Sequence, residues 1–397
     1  MGLNDTVSAE RPHIAFFGMR NAGKSSVVNA VTGQELSIVS EIKGTTTDPV
    51  KKAMELFPLG PVVIIDTPGL DDEGKLGEQR VRKALDILKK ADIAVLVVAV
   101  TRGVEKLDAE LIAEFEKRSL PYFVIYNKSD LLKGDISLKG NELLVSALTG
   151  DGVESLKNAL GSAVKQSGSK SQLVADLLEQ GDIVLLVIPI DESAPKGRLI
   201  LPQQQTMRDI LDAHCSFIAC RETEVKQTLA ALSSKPKLVI TDSQAFEKVA
   251  KDTPNDIMLT SFSILFARYK GELKSLVRGA KALEGLKDGD KVLISEGCTH
   301  HRQCNDIGTV KMPGWIEKYT GVKPVYEFTS GGSFPSDLSE YKLIVHCGGC
   351  MLNEKEMKSR ILSADCAQIP IVNYGMAIAQ MHGILERSLK PFADDLT

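Results

Sequence analysis

The sequence predicts an α/β protein in which a doubly wound, mostly parallel sheet is followed by two further α/β domains. Two patterns carry this expectation. Short apolar runs bounded by Gly, Asp or Asn (Ile14–Phe17, Val62–Ile65, Ile93–Val100 and Phe123–Tyr126) read as strands buried on both faces. The stretches between them, such as Glu78–Lys90 and Ala109–Arg118, are amphipathic and read as covering helices.

The first unit is expected over residues 1–168. The small polar segment Lys165-Gln-Ser-Gly-Ser-Lys-Ser171 reads as a linker. The strand–helix rhythm then resumes with Ile183–Ile190, the helix-like Pro202–His214 and the strand Lys237–Thr241. A last group of strands is expected at Lys291–Ser295, Pro324–Phe328, Leu343–Val345 and Ile369–Val372. The economical division is three α/β domains, at 1–168, 172–262 and 263–397. The β-branched run Asp182–Ile190 could pair across a two-fold axis.

Composition limits the functional classes. The chain has 397 residues, 43% of them hydrophobic and 25% charged, with a net charge of −4. Each domain can therefore bury a core, and nothing draws the whole chain toward nucleic acid or an anionic membrane. Met1–Arg11 is polar and Ile93–Val100 is too short to span a bilayer, so the expected location is cytoplasmic. In a reducing cytosol the seven cysteines read as ligands, nucleophiles or core residues rather than disulfides.

Gly18-Met-Arg-Asn21-Ala22-Gly23-Lys24-Ser25 fits the phosphate-loop pattern G-x4-G-K-S/T, after an expected strand and before the helix-like Ser26–Val31. Its glycines turn backbone N–H groups toward phosphate oxygens, and the helix N-terminus adds positive potential. Lys24 is expected to reach the β- and γ-phosphates and Ser25 to ligate Mg²⁺. Asp66-Thr-Pro-Gly69 ends the next strand, placing Asp66 on the same Mg²⁺ and the Gly69 N–H near the γ-phosphate. Within Gly44-Thr45-Thr46-Thr47, Thr46 or Thr47 is the candidate switch threonine. Asn127-Lys128-Ser-Asp130 follows a strand, and its carboxylate can accept from guanine N1–H and the 2-amino group. Adenine would leave those bonds unmade, at roughly 1.5–3 kcal/mol each. Ser146-Ala147 completes the base pocket. The set points to GTP and GDP with Mg²⁺.

These motifs resemble the translation-factor-related GTPases, more closely the potassium-stimulated, TrmE/Era-like branch. The resemblance implies that Asn21 helps coordinate K⁺ beside the phosphates. Position 70 is Leu, where a water-orienting Gln stands in Ras-like relatives, so intrinsic hydrolysis should be slow unless another group positions the water. Glu73 is too loose a match to carry that role.

A second constellation lies far downstream. Cys298-Thr-His300 follows one expected strand, and His346-Cys347-Gly-Gly-Cys350 follows another. Strand C-terminal ends are where open α/β sheets build their sites. The residues admit a structural zinc site, a Cys347/Cys350 redox pair or an iron–sulfur cluster. His301 and Cys304 read as bystanders, and Cys215, Cys220 and Cys366 as buried core thiols. His214, Asp212 and Arg208 share an expected helix, where a structural histidine is the better reading.

A GTPase domain followed by Cys-x-His and His-Cys-x-x-Cys resembles the [FeFe]-hydrogenase maturation GTPases, the HydF family, over the whole chain. The resemblance implies a [4Fe–4S] cluster on Cys298, Cys347 and Cys350, with His346 or His300 offered as a labile fourth ligand. It also implies a dimerisation domain at 172–262 and therefore a homodimer. The function it implies is a scaffold or carrier for the 2Fe precursor of the hydrogenase active site. The implied partners are radical-SAM maturases and the apo-hydrogenase, with GTP gating those contacts. The alternative from the motifs alone is an RNA-modification or ribosome-associated GTPase with a structural zinc site.

Overall fold

The structure is a computed structural model that describes residues 8–34, 50–69, 75–134, 136–167, 173–190, 199–297 and 306–396. It divides into two compact units, Met1–Lys170 and Ser171–Thr397. The division falls inside the expected linker, whose first residues close the helix Val153–Ser167.

Among the described residues, the first unit has six strands: β1 (His13–Phe17), β2 (Val50–Leu56), β3 (Gly60–Asp66), β4 (Ile93–Ala99), β5 (Tyr122–Asn127) and β6 (Glu142–Val145). They run in the order β2-β3-β1-β4-β5-β6. All pairs are parallel except β2 with β3. β1 and β4 are buried along their whole length, and apolar clusters cover both sheet faces. β2 and β6 have no counterpart in the sequence reading. β2 carries Lys51 and Lys52 on an exposed edge, so it lacks the apolar run that marks an interior strand.

Among the described residues, the second unit has two four-stranded, all-parallel sheets. The first contains β7 (Ile183–Val187), β8 (Ser216–Cys220), β9 (Leu238–Thr241) and β10 (Met258–Ser261), in the order β10-β9-β7-β8. The second contains β11 (Lys291–Glu296), β12 (Val325–Ser330), β13 (Leu343–His346) and β14 (Ile371–Asn373), in the order β12-β11-β13-β14. Each sheet thus places its second strand on one side of its first and its third on the other, which opens a crevice at the carboxyl ends of the first and third. One continuous apolar cluster runs through both sheets.

The expectation for Asp182–Ile190 needs correction. The strand ends at Val187, and β7 is interior, with its ladder groups already bonded to β8 and β9. It has no edge to offer a second copy. Among the described residues, no helix is long and apolar enough to cross a membrane.

Two helix-interior glycines separate packing from propensity. A Cβ on Gly279, in the helix Leu273–Ala282, would lie 1.9 Å from the Ile371 carbonyl oxygen of β14. A Cβ on Gly161, in the helix Val153–Ser167, would meet only Pro58 and Leu59 side chains at 3.7 Å or more. Alanine gains at most about 1 kcal/mol of helix propensity over glycine, whereas overpacking costs about 1–3 kcal/mol. Urea unfolding should therefore show Gly161→Ala stabilised by up to about 1 kcal/mol and Gly279→Ala destabilised by about 1–2 kcal/mol. Equal shifts of one sign would contradict this packing.

Candidate functional site

In the first unit the motif residues gather at the carboxyl edge of the sheet. The pairing of Phe16 with Asp66 sets the phosphate loop after β1 beside the end of β3. There the Lys24 ammonium pairs with the Asp66 carboxylate, and Ser25 Oγ donates to its other oxygen at 3.4 Å. Ser25 and Asp66 form a hard-oxygen pair suited to a shared Mg²⁺, which would release Lys24 toward phosphate. Thr67, given no role in the sequence reading, anchors this corner: its N–H and Oγ1 both donate to the Phe16 carbonyl, at 3.2 and 2.7 Å. The remaining phosphate-loop candidates occupy the bend and first helical turn: Gly18 directly after β1, Ala22 buried, and Ser26 half-buried in the helix Lys24–Thr32. Gly69 follows Asp66 and is half-buried.

Asn127 is a buried strut. Its Nδ2 donates to the Ala22 carbonyl at 3.0 Å, and its Oδ1 accepts from the Ala147 N–H at 3.1 Å. It thereby ties the phosphate loop to the loop after β6. Gly23 sits at φ +82°, and a Cβ there would fall 2.2 Å from Asn127 Nδ2, so both backbone and space demand glycine. Lys128 donates to the Asn21 carbonyl at 2.9 Å, and Asn21, at φ +61°, leaves its side chain exposed. Ser146 Oγ donates to Asp130 at 2.6 Å, which aims the carboxylate. Gly44, Thr45, Thr46, Thr47, Leu70 and Glu73 lie outside the described residues.

In the second unit, Cys347 and Cys350 follow β13, at the crevice between the ends of β11 and β13. Gly297, just past β11, donates its N–H to Cys347 Sγ at 3.0 Å, and Gly349 donates to the same sulfur at 3.4 Å. Gly349 adopts φ +64°, which turns the chain back over the thiol. Cys298, His300, His301 and Cys304 lie outside the described residues, but Cys298 is the residue next to Gly297. Burial pushes the Cys350 thiol up from its ordinary value, and the nearby Lys270 ammonium opposes this. Among the described residues, no group of three or more His, Cys, Asp or Glu is placed to hold a metal. The donor chemistry at Cys347 nonetheless suits a thiolate ligand: two backbone N–H groups aim at one sulfur, as they do around iron–sulfur clusters. A three-cysteine set here needs Cys298.

His346 is fully buried, and both ring nitrogens are engaged. Nδ1 lies 2.7 Å from the Cys347 carbonyl, which can only accept, and Nε2 accepts from Arg360 Nη1 at 3.0 Å. Arg360 also donates to the Gly331 carbonyl and to Glu356, and its guanidinium lies over the Phe334 ring. His346 therefore holds the loop from behind the cysteines. Ligation through Nε2 would require the Arg360 bond to break.

The other sequence candidates separate. Cys215 is buried, and its thiol donates to the Glu179 carbonyl at 3.0 Å. Cys220 is half-buried on β8. Cys366 is exposed at the end of the helix Glu354–Cys366, which corrects the expectation of a core thiol. Arg208 and Asp212 form an exposed surface ion pair rather than part of a catalytic group with His214. Lys270 and Arg360 were missed because both reach the cysteine loop from other elements, with no local motif to mark them.

Comparison with known proteins then sorts the chain. Residues 13–128 match the model of the 50S ribosome-binding GTPases. Residues 173–271 match the hydrogen maturase F dimerization domain, and residues 274–391 its tetramerization domain. The two maturase models together take up more than half of the chain. The chain belongs to the hydrogen maturase F family. This maturase-family chain carries a GTPase domain in its first unit, similar to curated relatives. One is a tRNA modification GTPase MnmE of Nitratidesulfovibrio vulgaris strain DP4, 36% identical over 156 residues, covering 38% of this chain and 34% of that one. Another is a GTPase Der of Kosmotoga olearia, 38% identical over 124 residues, covering 30% and 28%. The chain spans about a third of the length of these relatives. Among solved structures, Aquifex aeolicus Era is 18% identical, covering 60% of this chain and 97% of its own, with a TM-score of 0.34.

Burial, and then the Arg360 charge, lowers His346 to about 4, against about 6.5 for a free histidine. Between these values the unfolded chain binds a proton that the folded chain refuses. Stability is thus unaffected above pH 6.5 and falls as pH drops from 6.5 toward 4, by up to about 3 kcal/mol. In iron-free protein, denaturant titrations of wild type and His346→Gln should diverge in slope across that window. Parallel pH dependences would contradict a buried neutral His346.

Proposed function

We propose that the chain is a GTP-hydrolysing scaffold or carrier that holds a [4Fe–4S] cluster on Cys298, Cys347 and Cys350. In this role it assembles the 2Fe precursor of the hydrogenase active site or delivers it to apo-[FeFe]-hydrogenase. The observation that carries the reading is the Gly297 N–H bond to Cys347 Sγ within residues matched by maturase models. It brings Gly297, the residue before Cys298 in the sequence, to the sulfur of the Cys-Gly-Gly-Cys loop. Residues 172–262 act as a dimerisation domain, in keeping with the name of the domain matched over residues 173–271, and residues 263–397 act as the cluster domain. A bound cluster with three cysteine ligands supplies an iron whose remaining ligand can exchange. The protein's own residues hold the thiolates, donate N–H groups to sulfur and support the loop.

In the GTPase domain, Lys24 and Asn21 act on the phosphates, Ser25 and Asp66 hold Mg²⁺, and Thr46 or Thr47 closes the Mg²⁺ shell. Asp130 and Ala147 read guanine. GTP can bias contacts with radical-SAM maturases or the apo-hydrogenase only through its different affinity for two states of the chain. The proposed location is the cytoplasm. The tRNA-modification or ribosome-associated reading has support from names that match the first unit alone.

Two experiments test these readings. Anaerobically purified Lys24→Ala should lose GTP hydrolysis yet keep about four irons per chain. A colourless wild-type protein carrying zinc would favour the RNA-linked reading, and a folded Lys24→Ala without iron would contradict separable sites. If Asn21 helps hold K⁺, hydrolysis should run several-fold faster in potassium chloride than in sodium chloride at equal ionic strength, and equal rates would exclude that role.

A further inference from the structure

Arg268 and Lys270 both leave the last turn of the helix Phe262–Lys270, which starts directly after β10. Two residues apart on a helix, they point to different flanks. Arg268 reaches the start of the second unit: its Nη1 donates to Asp176 Oδ1 at 2.9 Å, and its Nη2 donates to the other oxygen of the same carboxylate. Such a fork fixes direction as well as distance. Arg268 Nε donates to Asp395 at 2.6 Å, and the guanidinium lies 5.5 Å from the centre of the Phe392 ring. Lys270, 2% exposed, donates to the Leu352 carbonyl at 3.0 Å and to the Cys350 carbonyl at 3.3 Å. A buried ammonium is costly to strip of its partners, so these bonds resist being broken.

Asp176 belongs to the short turn Ala175–Leu177, a few residues past the linker that follows the GTPase domain. This segment is itself pinned. The Val174 and Ala175 N–H groups donate to Asp209 Oδ2 at 2.7 and 2.8 Å, and Leu173 and Val174 are buried. A contiguous run of bonds thus joins the first described residues after the linker to the cysteine loop. It passes from Asp176 to Arg268, through one helical turn to Lys270, and on to the carbonyls of Cys350 and Leu352. Distant sites can couple through bonded and packed elements of this kind.

We propose that Arg268 is a positioning residue that relays the nucleotide state of the GTPase domain to the Cys347–Cys350 loop, by tying Asp176 to the helix that ends at Lys270. The relay rests on the reading of that loop as the functional site. A pull on the linker displaces Asp176, the fork turns the end of the helix, and Lys270 carries the two carbonyls with it. The start of the helix stays in place, because Asn373 at the end of β14 donates to the Ser263 carbonyl at 2.9 Å.

Hydrogen exchange of the full, iron-free chain tests the relay, in peptides covering residues 345–356, with GDP against a non-hydrolysable GTP analogue. The wild-type loop should exchange at different rates in the two nucleotide states. Arg268→Gln and Asp176→Asn should each shrink that difference about threefold or more, the double variant no further than either single one, with GTP hydrolysis within about twofold of wild type throughout. Arg268→Lys keeps the charge without the fork and should recover little of the difference. Asp395→Asn removes only the arm to the C-terminal segment and should keep the difference. Should Arg268→Gln fail to fold, Asp176→Asn, at the half-exposed partner, is read in its place. A purely structural prop would change exchange equally in both nucleotide states and leave the difference intact. That outcome, a loss in Asp395→Asn equal to that in Asp176→Asn, or a wild-type loop that ignores the nucleotide would overturn the proposal. Iron content of the reconstituted wild type is measured in parallel: a protein that takes up no iron would defeat the cluster reading, while the exchange data still decide the relay.

Discussion

The bond from the Gly297 N–H to Cys347 Sγ, 3.0 Å long, joins the ends of two strands that are neighbours in space and about fifty residues apart in sequence. It exists because β11 and β13 pair in parallel, with Ser295 opposite His346, so their carboxyl ends emerge side by side. A second bond reinforces the register: the Cys347 N–H donates to the Ser295 carbonyl at 2.9 Å. The cysteine reading depends on this arrangement, since it sets Gly297, the residue before one motif, beside the first cysteine of the other. His346 bonds the Cys347 carbonyl, Arg360 bonds His346, and Lys270 bonds the Cys350 and Leu352 carbonyls, so the three hold the loop together.

The GTPase domain follows the same rule with different chemistry. Parallel pairing of β1 with β3 sets Lys24 and Ser25 against Asp66, and pairing of β5 with β6 sets Asn127 beside the Ser146–Ala147 loop. Asn127 links the two halves by donating to one loop and accepting from the other. In both units, sites form where parallel strands end, because the helix that follows each strand leaves polar backbone groups free at that edge.

Much of this was legible in the sequence, for physical reasons. β1 and β4 are continuous apolar runs because neighbours cover both of their faces. The phosphate loop, the Asp66 loop and the guanine motif are local patterns whose spacing is fixed by one ligand. β2 and β8 escaped because they are edge strands with polar or half-exposed faces. The interior position of β7 was hidden because a β-branched run looks the same at an edge and in the middle of a sheet. Lys270 left no trace because its partners are 80 and 82 residues away and its helix is apolar on most faces. The engaged state of His346 depends on Arg360, one helix further along.

The most direct test of the central claim, that Cys298 joins Cys347 and Cys350 in one three-thiolate site, is iron per chain in anaerobically reconstituted Cys298→Ser, with Cys366→Ser as control. The account predicts that the exposed Cys366 is dispensable, so its variant keeps about four irons, while Cys298→Ser loses most of them. Full iron content in Cys298→Ser would contradict it.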